Sequence, residues 1–99
     1  MLQKIMNSIL LPLPITDEDY RFMKISYDKK ADAIYISLND KPYAYGKDLD
    51  EERRIDFDSD DNPIGIELLC VSAGVNTDDL PKKTEVERIL TSKGIKVLV

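Results

Sequence analysis

In the stretch "MKISYDKKADAIYISL", apolar residues fall at every second position on both sides of a short polar segment. Successive side chains of an extended strand leave on opposite faces. Met23, Ile25 and Tyr27 therefore share one face of a first strand, and Ile34, Ile36 and Leu38 share one face of a second. A helix would scatter these residues around its circumference, so the segment reads as a β-hairpin. Its connection, "DKKAD", holds no Asn-Gly pair, which favours a turn of three to five residues over a two-residue one. A hairpin with one apolar face has to bury that face under a second layer.

The same alternation returns at Ile55 and Phe57 and again at Ile64, Ile66 and Leu68, which predicts two further strands. Ser26, Ala33, Tyr35, Ser37, Arg54, Asp56 and Glu67 then fall on the opposite face, a mixture suited to water or to a second subunit. Tyr35 and Leu69 on that face leave room for a homodimer contact. "NDKPYAYGKDLDEE" reads as a long connection with Tyr43 and Tyr45 at its tip or on an edge strand. After a loop, "LLCVSAGVNTDDLP", the segment "PKKTEVERILTSKG" carries Val86, Ile89 and Leu90 at helical spacing. Thr84 with Glu87 suggests a capping box, Pro81 offers an earlier start, and Gly94 is placed to end the helix. "GIKVLV" alternates Ile95, Val97 and Val99 and fits a closing strand or an extended tail.

The expected fold is α+β: a small antiparallel β-meander of about four strands, Met23 to Leu69, with a helix near Pro81 to Lys93 packed on one face. Residues 1–22 form an extension in which Leu2, Ile5, Met6, Ile9 and Leu10 recur at helical spacing. That predicts a short amphipathic helix and a linker, ahead of a single domain over residues 23–99. Asn7 and Ser8 break the apolar run, Pro12 and Pro14 stop it, and no small-residue cleavage site follows. It reads as neither a secretion signal nor a membrane span.

The chain has 99 residues, 42% of them hydrophobic and 33% charged, which suits one ordinary globular domain. One cysteine rules out an intrachain disulfide, and the lack of histidine leaves zinc sites and imidazole catalysis without their usual groups. A cytoplasmic setting follows, with Cys70 read as a small buried apolar residue. No phosphate-cradling glycine loop or catalytic pair stands out, so no catalytic, cofactor or metal residue is assigned. Net charge is −5, and nine of the acidic residues lie between Asp48 and Glu67 against Arg53 and Arg54. Such a field repels phosphate and argues against nucleic-acid binding; its natural complement is a basic protein partner or a cation.

The acidic stretch "DFDSDDNPIGIE" has the carboxylate spacing of an EF-hand loop. Its sixth position is Asp61 instead of glycine, both flanks read as strands, and Pro63 stiffens the middle. It therefore reads as a solvated hairpin turn, with cation binding by Asp56 to Asp61 as the alternative. Tyr35, Asp58, Asp60, Asp61 and Glu67 are the candidate partner-binding residues.

Tyr27, Asp28, Ala31, Asp32, Ala33, Tyr35 and Ile36, together with the later "GIE" strand, resemble the prokaryotic domain-of-unknown-function family 2283 over about Met23 to Ser72. The helix and "GIKVLV" are similar to the longer members; residues 1–22 lie outside. The resemblance implies a small antiparallel sheet with a helix and brings no activity or cofactor. Its turn reads Asp-x-Asp-x-Asp-Gly, and here Asp61, a residue able to enter the left-handed region, stands in the glycine position. Some relatives look like the smaller partner of toxin-antitoxin pairs. The expected function is a non-enzymatic protein-interaction module, antitoxin-like in its most specific form, with cation binding as the alternative.

Overall fold

A computed structural model describes residues 23–98. Its strands are β1 (Lys24–Asp28), β2 (Ala33–Ser37), β3 (Tyr45–Asp48), β4 (Arg53–Phe57), β5 (Pro63–Leu69), β6 (Val75–Asn76) and β7 (Val97–Leu98), and its helix is α1 (Lys83–Ser92). The first five form one antiparallel sheet in the order β1-β2-β5-β4-β3. The α+β class and the antiparallel sheet with its C-terminal helix agree with the sequence reading. The expected amino-terminal helix falls outside the described residues.

Two details differ from a four-stranded meander. Tyr45 lies on a fifth strand at the sheet's edge, and β2 pairs with β5 instead of with its successor in the chain. The connection from residue 38 to residue 44 carries the chain past the sheet's end to its far edge, and β3-β4-β5 then return as successive hairpins. The central place goes to β5, the longest strand, whose Ile64, Gly65, Ile66 and Leu68 are all buried.

Register explains the core. Ile25, Ile36, Ile66 and Ile55 stand opposite one another across four strands, on the same face. Met23, Ile34, Ile36, Leu38, Ile66 and Leu68 form one buried cluster with Val86, Ile89 and Leu90 of α1 and with Val71, Val75, Leu80 and Ile95. Each of these side chains stabilises the fold by roughly 1.5–3 kcal/mol relative to exposure.

The helix ends as its sequence suggests. Gly94 takes φ +76°, its N–H donates to the Thr91 carbonyl at 3.0 Å, and the Ile95 N–H donates to the Leu90 carbonyl at 2.9 Å. This is a Schellman closure, with Ile95 and Leu90 both buried. The helix start is different: Lys82 is the N-cap at φ 51° and no side chain caps the first turn, so the Thr84–Glu87 capping box does not form. Glu87 instead accepts from the hydroxyl of buried Thr77 at 2.5 Å. β7 pairs in parallel with β6 as a separate two-stranded sheet, which realises the closing strand. Among the described residues, no helix is long and apolar enough to cross a membrane.

Candidate functional site: the uncovered face of the sheet

Strand alternation sends a second set of side chains away from α1, onto a face that no described helix covers. Ser26, Tyr35, Glu67, Arg54 and Asp48 form one row across the five strands, and Lys24, Ser37, Gly65, Asp56 and Gly46 form the next. Two glycines in the second row let large neighbours lie flat on the sheet. Tyr35 crosses Gly65, and its hydroxyl donates to Asp56 Oδ2 at 2.8 Å. Arg54 lies over Gly46, donating from Nη1 to Asp48 Oδ1 at 3.0 Å and from Nη2 to Tyr43 Oη at 3.3 Å. Its Nε also lies 3.4 Å from Asp56 Oδ1. Asp56 is thus the meeting point, taking Tyr35 on one oxygen and Arg54 beside the other.

A Cβ at Gly65 would stand 1.8 Å from Tyr35 Oη, and one at Gly46 would stand 2.2 Å from Arg54 Nη2. Both positions have to be bare for the network to exist. Burial, the hydrogen bond to Asp56 and the nearby Glu67 charge push the Tyr35 hydroxyl well above the ordinary tyrosine range. Hydrogen bonds to Tyr43 and Asp48 hold the Arg54 guanidinium protonated even more firmly than usual. At neutral pH Tyr35 is therefore neutral and Arg54 cationic.

Next to this network the β3–β4 turn makes a concave site of about 300 Å³, lined by Asp48, Asp50, Glu51, Glu52, Glu67 and Leu69 with Arg53 and Arg54. Asp50 shapes the turn by accepting from the Glu52 N–H at 2.9 Å and from Arg53 Nε at 2.8 Å. Those bonds hold its carboxyl below the usual range. Both arginines are engaged: Arg53 Nη1 donates to the carbonyls of Asn76 at 3.0 Å and Asp78 at 2.6 Å, while Arg54 serves the network above. Among the described residues, the side-chain hydrogen bonds and ion pairs around this site run through Asp48, Asp50, Asp56, Arg53 and Arg54 and leave the Glu51 and Glu67 carboxylates out.

The predicted partner-binding residues separate into two groups. Tyr35 and Glu67 are cross-strand partners on the uncovered face. Asp58, Asp60 and Asp61 lie in the β4–β5 turn at the other end of the hairpin, and Asp58 is not available for a partner. It is buried, with Oδ1 accepting the N–H groups of Asp60 and Asn62 at 2.9 Å each and Oδ2 facing Asn62 Nδ2 at 3.4 Å. Asp61 adopts φ 65°, the left-handed conformation its position asks for, and accepts from Tyr45 Oη at 2.6 Å. The twelve residues that suggested calcium run out along β4, round this turn and back along β5.

Missing from the sequence reading were Asp48, Asp50, Glu51 and Glu52 as site residues. They belong to the same acidic tract, and only cross-strand register brings them beside Glu67. Cys70 also differs from expectation: it is exposed at φ 54°, and the charge of Glu52, ahead of other causes, pushes its thiol up. It ends β5 as the chain turns sharply into a short 3-10 turn, Val71–Ala73, so Val71 is buried in its place.

That short turn is tied to the first hairpin. Asp32 accepts the Ser72 N–H at 2.9 Å and its hydroxyl at 2.7 Å, and the Asp32 carbonyl accepts the Val71 N–H at 3.1 Å. The sequence model of the family described as "Protein of unknown function (DUF2283)" matches residues 24–72. The chain carries a DUF2283 domain. The match opens on the first residue of β1 and closes on Ser72, so the DUF2283 unit is the five-stranded sheet with its docked turn. Two motif aspartates serve folding, since Asp28 accepts the Ala31 N–H at 3.0 Å within the turn and Asp32 fastens the far end. Within β2, Ala33 and Tyr35 are the motif residues on the uncovered side, and Tyr35 brings the polar group. Searches of curated proteins and of solved structures return no match.

Proposed function

We propose that this chain is a non-enzymatic protein-interaction module that receives a basic segment of a partner on the uncovered face of its sheet. The observation that carries the reading is the concave end of that face, where five carboxylates meet two arginines that are already engaged. The excess negative charge, centred on Glu51 and Glu67, is complementary to a lysine or arginine side chain, and Leu69 supplies an apolar contact for its stem. An exposed ion pair alone contributes about 0–1 kcal/mol. Several around one cavity favour encounter with a basic partner and disfavour acidic ones.

The test uses an arginine-rich peptide and a glutamate-rich peptide of equal length, followed by the product of the adjacent gene. Affinity for the basic ligands should fall about tenfold as salt rises past the point where the Debye length shrinks to ~3 Å. It should also fall in the Glu51→Gln, Glu67→Gln double variant and hold in Asp60→Asn. Binding indifferent to salt and to the double variant, or no binding at all, sinks the proposal. The antitoxin-like form has its own test: co-expression with the adjacent gene product should relieve growth arrest, and an unchanged arrest removes it.

A further inference from the structure

On the core side of the sheet, Ile55, Phe57, Pro63, Leu80 and Pro81 line an open apolar groove of about 330 Å³, with Asp79 as its charged wall. The cluster beneath α1 takes in Ile34, Ile36, Ile66 and Leu68, while Ile55 on β4, itself buried, lies outside that cluster and forms part of the groove's lining. Phe57 stacks on Tyr45 with ring centroids 5.1 Å apart, which extends the apolar surface to the edge strand. A groove of this kind at the margin of a small core asks for an apolar occupant.

The geometry points to an occupant within the same chain: we propose that the segment from Leu2 to Leu10 docks in this groove. Three observations converge on it. Leu2, Ile5, Met6, Ile9 and Leu10 give the segment one apolar stripe. Met23 precedes β1 at the end of the sheet where Leu38 donates to the Ile64 carbonyl and Phe57 pairs with Pro63, which is the end that holds the groove. From β1 to β4 is three strand spacings, about 14 Å. Residues 11–22 between the two can stretch to about 40 Å, so the tether reaches with slack. Lys4 is the only basic residue before Arg21, and it complements Asp79. A tethered segment meets its groove at an effective concentration near the millimolar range, ahead of any free competitor.

The test is methyl NMR on the full chain, independent of whether the acidic face binds anything. Contacts from Ile5 or Ile9 methyls to the Phe57 ring are expected, and Ile9→Asp should abolish them, shift the Ile55 and Phe57 signals and lower Tm. A sample mixed from differently labelled copies separates own-chain docking from exchange between copies. Contacts appearing only between copies, or Phe57 signals unmoved by Ile9→Asp and by Ile5→Asp, overturn the proposal.

Discussion

Single residues decide whether the uncovered face exists as described. An added methyl at Gly65 collides with the end of Tyr35, which has to swing away from Asp56. Gly65→Ala is therefore expected to destabilise by about 1–3 kcal/mol in urea denaturation, through displacement and a lost hydrogen bond. Tyr35→Ala in the same chain vacates the space, so the two changes together should cost less than their sum. Strict additivity would refute the steric account. Asp58 carries a different signature. The Asn62 and Asp60 N–H groups hold its carboxyl below the ordinary range, so its folded pKa lies below its unfolded one. The stability it contributes is then complete above the unfolded value, about 3.9, and is lost as pH falls through the lower folded value. Asp58→Ala should lower Tm at neutral pH, with the gap to the parent closing at acid pH. The left-handed turn at Asp61 was legible from residue type, because few side chains tolerate that conformation. The capture of Asp58 by its own turn was not, since any of four nearby carboxylates has the composition for it and only the turn's geometry selects one.

At the scale of elements, α1 shows which local signals survive folding. Its apolar spacing and its glycine stop both hold, because they concern burial and backbone conformation that no neighbour can supply otherwise. The capping box fails because Glu87 has a better partner in buried Thr77. This yields a paired prediction measured by thermal or urea denaturation. Thr84→Ala should stay within about 0.5 kcal/mol of the parent, whereas Thr77→Val, which strips Glu87 of its donor, should cost about 1–2 kcal/mol. Gly94 gives a cleaner number. Nothing lies within 4 Å of where its Cβ would stand, so Gly94→Ala changes only the backbone cost of a positive φ. A loss of about 1–2 kcal/mol is expected, with Gly94→Asn losing less. Equal losses for the two would mean that the closure depends on something other than left-handed backbone. β1, β2, β4 and β5 were legible for the same reason as the helix, since a two-residue period fixes face and extent at once, whereas β3 and the two-residue β6, placed in a connection and a loop by the sequence, carry no such alternation.

Across the whole molecule, sequence pattern is silent on which strands meet, because alternation is a property of each strand alone. The place of β5 between β2 and β4 is settled by contacts far apart in the chain, and the acidic site beside Glu67 is a by-product of that order. One side chain spans the resulting layers. Arg53 has only 11% of its side chain exposed; it fixes the β3–β4 turn through Asp50 and reaches the carbonyls of Asn76 and Asp78 in the approach to α1. It therefore couples the acidic turn to the layer that covers the sheet's other face. Arg53→Ala removes the guanidinium donor from both carbonyls and from Asp50 Oδ2 and should cost about 2–3 kcal/mol, while Arg53→Lys, a single donor head in place of a fork, recovers a part of it. Amide hydrogen exchange gives the sharper readout. If the side chain joins the two regions, exchange in Arg53→Ala rises at Leu49–Arg53 and at residues 76–80 together, because each holds the other through the same guanidinium. A rise confined to the turn would show that the approach to α1 is held by its own contacts, and that the acidic site moves independently of the core.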